Sequence, residues 1–223
     1  MNVDHGSEWS RQLLEADYLY KDGRVRRSAI KWFLRELVYP LDIEKGWVKG
    51  DLLIIGPGPI VPEAAIFCSP ESDFHDLYEQ ISSVVLCEGE HFPINASELE
   101  MTNFNDHQKG KNGGIFLFAG WADEILIGES QFDLISFFRI PDMEGMVDSN
   151  LFQRTVNALK PGGVFMGSGS FSKATEPPHR LADDKRIKLI RWQGLSNPST
   201  MNDSFGEYPF SHHHIGFVVK KNP

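Results

Sequence analysis

The sequence predicts an α/β fold: a doubly wound, mostly parallel sheet of the seven-stranded type, with helices on both faces. Three observations predict it. Short apolar runs alternate with helix-patterned segments along most of the chain, as in strands joined by crossover helices. The first run, Leu52 to Ile55, ends at the Gly-x-Gly turn Gly56-Pro57-Gly58, which suits the carboxyl end of a first parallel strand. The last two runs, "RIKLIRW" and "IGFVVKK", read as a hairpin-like pair, with the final strand antiparallel near the sheet edge.

Taken in order, residues 1–45 form an N-terminal helical extension and residues 46–223 the main domain. Ile30, Phe33, Leu34, Leu37, Val38 and Leu41 recur at i, i+3, i+4, i+7, i+8 and i+11, one face of an amphipathic helix. Lys45 to Gly50 is a turn-rich connector to the first strand. Pro62 suits the first turn of the next helix, where a missing N–H costs nothing, and Pro70 interrupts that helix. A short helical piece, Asp73 to Gln80, leads to the strand "SSVVLCE". A polar segment, Gly89 to Gly114, precedes the strands "GIFLFAG" and "FDLISFF". Leu151, Phe152, Val156 and Leu159 mark a helix capped by Asp148 or Ser149. It stops at the turn Pro161-Gly162-Gly163, followed by the strand "VFMGSG".

Composition narrows the function classes. A net charge of −9 argues against a broad nucleic-acid surface. The local exception, Lys21, Arg24, Arg26, Arg27, Lys31 and Arg35, reads as a solvated helix face or as a contact for an anionic substrate or RNA. No run reaches the ~20 apolar residues a membrane span needs, and Met1 to Glu8 is unlike a signal peptide. Cys68 and Cys87 are too few for a disulfide framework and read as buried reduced thiols in a cytoplasmic protein. His212, His213 and His214 cannot all face one way on a strand, and no ligand set with closed spacing accompanies them. No metal is expected.

The glycine turn limits its own ligand. A phosphate cradle points successive backbone N–H groups at the anion, and proline has none. Pro57, Pro59 and Pro62 deplete the cradle, and Val61 stands where a third glycine would complete Gly-x-Gly-x-x-Gly. The next strand-end acid, Glu88, lies 30 residues beyond Gly58, against about 20 in the dinucleotide fingerprint. The P-loop Lys-Ser/Thr pair is missing as well. What remains is a ligand without phosphates that lies close to the backbone and offers ribose hydroxyls to an acid.

With these residues in place, the chain resembles the class I S-adenosylmethionine-dependent methyltransferases over roughly Asp17 to Lys221. "IIGPGP" matches their glycine turn, "VVLCE" the strand ending in a ribose-binding acid, and "AGWADEI" the adenine-contacting segment. "FDLISFF" matches the fourth strand, and "LFQRTVNALKPGGVFM" the helix, turn and fifth strand. The resemblance implies S-adenosylmethionine as cofactor and S-adenosylhomocysteine as product. It implies cofactor contacts from Tyr18, Gly56, Pro57, Gly58, Glu88, Trp121, Ala122, Asp123 and Phe138. "ADYLYKDG" and "NPSTMND" are similar to segments of the small-amine N-methyltransferases (nicotinamide, phenylethanolamine and indolethylamine types). That similarity implies a lid closing through Tyr18, with Tyr20, Arg139 and Ser168 toward a small-molecule substrate methylated on nitrogen or oxygen.

Departures accompany the resemblance. The strand before the glycine turn lacks the acid usual in the family. Gly167-Ser168-Gly169 stands where the amine group places an acid, and the stretch from Pro161 to the next strand is short enough to lack a helix. No catalytic residue is named. A non-catalytic methyltransferase-like module that binds a partner protein is the competing reading. Trp121 reads either as core or as an adenine platform, Asp133 as the start of a strand or only a turn residue, and Arg139 either as a substrate contact or as a structural ion pair.

Overall fold

The computed structural model describes residues 49–56, 80–88, 115–140, 143–171, 177–194 and 213–223. The expected N-terminal helix, the helices between Pro62 and Gln80 and the polar segment from Gly89 to Gly114 lie outside them, as do Cys68 and His212. The strands are β1 (Gly50–Ile55), β2 (Ile81–Glu88), β3 (Ile115–Ala119), β4 (Phe132–Ile140), β5 (Leu159–Phe171), β6 (Ile187–Gly194) and β7 (His213–Lys221). They form one seven-stranded sheet in the order β3-β2-β1-β4-β5-β7-β6. Neighbours from β3 through β5 are parallel, and β7 runs antiparallel to both β5 and β6.

The apolar runs form strands because a parallel sheet is buried on both faces. Leu53 pairs with Ile135 and Ile135 with Phe165. Together with Ile55, Cys87, Phe217 and Val219, these residues face the helices of the main core. The intervening residues Leu52, Ile54, Val84, Leu86, Leu134, Met166 and Val218 are also buried. Burying each such side chain contributes about 1.5–3 kcal/mol relative to exposure. Phe165 meets Phe217 edge-on with ring centroids 5.0 Å apart, a geometry favoured by the aromatic quadrupole.

The helices are α1 (Ala122–Ile125), α2 (Met143–Asp148), α3 (Asn150–Ala158) and α4 (His179–Asp183). Ser149, rather than Asp148, caps α3: its Oγ accepts the Leu151 N–H at 3.2 Å and donates to Met146 O at 2.6 Å. Such a cap contributes about 1 kcal/mol. Phe152, Thr155 and Val156 lie on the buried face of α3, at the i, i+3, i+4 spacing of an amphipathic helix.

One expectation needs correction. α3 ends at Ala158, and Leu159 already opens β5. Pro161-Gly162-Gly163 is therefore a bulge within β5 and not a turn ahead of it. β4 advances from Phe132 to Leu134 while β5 advances from Leu159 to Val164, and Gly162 absorbs the excess at φ +78°. Leu159 is already extended at φ −67° and ψ 137°; Pro161 then disfavours helical backbone at Lys160, and the chain keeps its pairing with β4. Between β5 and β6 the described residues hold one short helix, which buries Leu181.

Candidate functional site

The chain places β2 and β3 on one side of β1, then β4 and β5 on the other. In open α/β sheets the ligand crevice lies at that reversal, outside the carboxyl ends of the strands. Ile55 pairs with Cys87, so the next residues of the two strands, Gly56 and Glu88, reach the carboxyl edge side by side. Gly56 has φ +59°, left-handed backbone that costs other residues about 1–2 kcal/mol. Its N–H donates to Cys87 O at 2.9 Å, and a Cβ there would lie 3.6 Å from the Phe137 ring. Gly56 thus leaves β1 in left-handed backbone beside that ring.

Glu88 is the last residue of β2 and stands level with Ala119 of β3. Beyond Ala119 the chain turns at Gly120, whose carbonyl accepts the Cys87 thiol at 3.6 Å. Cys87 is buried, as expected of a small apolar group. Trp121 follows with 57% of its surface exposed, which overturns the core reading for this residue. Ala122 packs against the main core. Asp123 is exposed; its carbonyl accepts Arg154 Nη1 at 2.6 Å and its carboxylate lies 4.0 Å from the same guanidinium.

On the other side of the crevice, Phe138 and Arg139 continue β4 beyond Phe137. Ser168 lies in β5 opposite Gly216 of β7, 7% exposed. Sheet topology thus brings Gly56, Glu88, Trp121, Ala122, Asp123, Phe138, Arg139 and Ser168 to the carboxyl half of one sheet. Tyr18, Tyr20, Pro57 and Gly58 lie outside the described residues. His213 and His214 sit in β7 opposite Phe171 and Ser170, and no metal-holding group of three His, Cys, Asp or Glu occurs among the described residues.

Two features escaped the sequence reading. Glu124 folds its carboxylate back onto the Trp121 N–H at 2.7 Å. The spacing Trp-x-x-Glu is that of a capping box, but tryptophan in place of Ser or Thr hides the signal. Asp133 starts a strand, as read, and does more than make a turn. It is the second residue of β4 and pairs with Lys160 Nζ at 2.7 Å, and the same ammonium reaches Asp51 at 2.8 Å. This cluster occupies the amino ends of the strands, away from the crevice. The hydrogen bond from Lys160 holds the Asp51 carboxyl below the usual range, and the bond to Asp133 raises the Lys160 ammonium above its ordinary value.

Strand order and the reversed β7 are those of the methyltransferase fold, and solved structures share it. The chain is similar to N-methyltransferase NodS from Bradyrhizobium japonicum at 14% identity and TM-score 0.51, covering 91% of this chain and 99% of that one. It is similar to an S-adenosylmethionine-dependent methyltransferase from Mesorhizobium loti at 14% identity and TM-score 0.50, covering 82% and 95%. A third is TYW2 of P. horikoshii in complex with MeSAdo, at 10% identity and TM-score 0.51, covering 84% of this chain. The chain spans 61% of the length of TYW2 and 63% of a second structure from Pyrococcus horikoshii. No protein-family model and no curated protein matches the chain. Among the described residues, no helix is long and apolar enough to cross a membrane.

Proposed function

We propose that the chain is an S-adenosylmethionine-dependent methyltransferase acting on nitrogen or oxygen of a small molecule. The observation that carries this reading is the exit of Gly56 and Glu88 side by side at the switch point. A left-handed glycine keeps side-chain atoms away from a ligand lying on the backbone, and a strand-end carboxylate suits a ribose diol. The crevice fits this cofactor better than a dinucleotide, because the prolines after Gly56 remove the N–H groups a pyrophosphate needs.

In this reading Gly56, Pro57 and Gly58 hold the methionine portion and Glu88 the ribose. Trp121, Ala122, Asp123 and Phe138 surround the adenine. When bound, the cofactor supplies a methyl group on a positively charged sulfur, which already drives displacement. The remaining work of the chain is alignment and the exclusion of water. Tyr18 closes the site from the N-terminal side, and Tyr20, Arg139 and Ser168 face the substrate, a small amine in the finer version of the proposal. Titration calorimetry with S-adenosylmethionine and S-adenosylhomocysteine tests the reading; no heat of binding from either ligand overturns it.

Ser168 favours a second reading. The amine-methylating group places an acid in this region of the fold, whereas this chain offers a hydroxyl that is 7% exposed. A non-catalytic module that binds a partner protein would need no substrate acid. Cofactor binding without transfer to any amine or hydroxyl acceptor is the outcome that supports it.

A further inference from the structure

We infer that Glu124 is a positioning residue: its carboxylate, folded back onto Trp121, holds the Trp121 indole at the crevice rim as the stacking surface for the cofactor's base. This rests on the methyltransferase reading above.

α1 has only four residues, Ala122–Ile125, too few to be stable as an isolated helix. Side-chain ties hold it in place. The Trp121 N–H donates to Glu124 Oε2 at 2.7 Å, and the Glu124 N–H donates to Trp121 O at 3.0 Å. These two bonds close a ring around the first turn and keep Trp121 in extended backbone at φ −79° and ψ 149°. From α3, Arg154 Nη1 donates to Asp123 O. On the other side, the Cys87 thiol binds Gly120 O. A Cβ at Gly120 would lie 2.5 Å from Glu124 Oε2, so the carboxylate occupies space that only a glycine leaves open.

The backbone around Trp121 is therefore pinned from three directions while its indole stays out of the core. Ile125 and Leu126, a few residues on, turn inward. Trp121 lies two residues beyond Ala119, which stands level with Glu88 at the end of β2, and its exposed indole offers a flat apolar face. That face suits an uncharged heterocycle. Glu124 is already engaged by the Trp121 N–H, and its contribution to binding passes through the tryptophan.

A double-mutant cycle on the full chain, read by calorimetry with S-adenosylhomocysteine, tests this. Trp121→Ala is expected to weaken binding about ten-fold, by loss of base stacking. Glu124→Ala is expected to weaken it about 3- to 10-fold, as loss of a capping bond would. Glu124→Gln should restore affinity, because its amide oxygen accepts the same N–H. The double variant should bind no more weakly than Trp121→Ala alone. In ligand-free protein, the Trp121 indole N–H resonance should broaden or move in Glu124→Ala and not in Glu124→Gln. A Glu124→Ala loss that persists in the Trp121→Ala background, or no loss at all, overturns the positioning role and leaves the methyltransferase reading intact. A wild-type chain that does not bind S-adenosylhomocysteine overturns both.

Discussion

Lys160 and Asp133 meet across 2.7 Å at the amino end of the sheet, where the bulge of β5 passes β4. The same ammonium reaches Asp51 of β1 at 2.8 Å, and Asp51 also accepts the Ser83 hydroxyl of β2 at 2.7 Å. Four strands are thus tied at the end opposite the candidate site.

Lys160→Met should lower unfolding free energy by about 1–2 kcal/mol at neutral pH. Hydrogen bonds to charged groups set the upper part of that range, and partial exposure of all three side chains reduces it. The Asp51 carboxyl is held below 3.8 by its Lys160 hydrogen bond, so its contribution is complete above that value and fades as pH falls through the lower folded one. The Lys160 ammonium is raised above 10.5, so its contribution is complete below 10.5 and fades as pH rises through the higher folded value. Urea titrations of wild type and variant should therefore differ most between these limits and converge in strong acid. A gap that stays constant down to about pH 2 contradicts this account.

Gly167→Ala should destabilise the fold by about 3 kcal/mol, through overpacking of the sheet. A Cβ there would lie 2.1 Å from Phe137 O and 3.0 Å from the Phe217 ring, and the central strands have no room to yield. Thermal unfolding of the variant checks this, and an unchanged midpoint would show that β4 and β5 can separate at this position. The same crowding accounts for a bare residue beside Ser168, where the amine-methylating group places an acid.

Glu88→Ala should weaken S-adenosylhomocysteine binding by about ten-fold or more, since a carboxylate on a diol makes charge-assisted hydrogen bonds of about 1.5–3 kcal/mol. Calorimetry measures it directly. Equal affinity in variant and wild type would remove Glu88 from the ribose site.

Deleting Met1 to Lys21 should abolish methyl transfer and leave the thermal transition of the core in place. The deletion removes Tyr18 and Tyr20 but none of the strands in the described sheet, and under the proposed lid its loss exposes the reacting methyl to water. Transfer by the truncated chain at the full-length rate would rule out the lid.

Most of the sheet was legible in the sequence. The runs "LLII", "SSVVLCE", "FDLISFF" and "IGFVVKK" each became a strand, because strands buried on both faces must be continuously apolar, and that requirement is written locally. The glycine turn was legible for the same reason: left-handed backbone at Gly56 calls for that residue type at that place. β5 was legible as a strand but not in its length, because a bulge that admits Pro161 is set by the partner strand β4.

By itself, then, the sequence determined the strand segments, the α/β class and the glycine turn, since these follow from patterns spanning a few residues. Tertiary structure alone decided which charges meet. Lys160 is 109 residues from Asp51 and 27 from Asp133, and only the sheet order brings three strand ends within reach of one ammonium. It also decided the exposure of Trp121. A tryptophan at the end of an apolar strand could turn either way; here 57% of its surface is exposed, while its backbone N–H is held by Glu124 and α1 is tied to α3 through Arg154. Hydrophobic periodicity is a local average over neighbours in sequence, whereas hydrogen bonds and ion pairs depend on distances that exist only once the strands are in register.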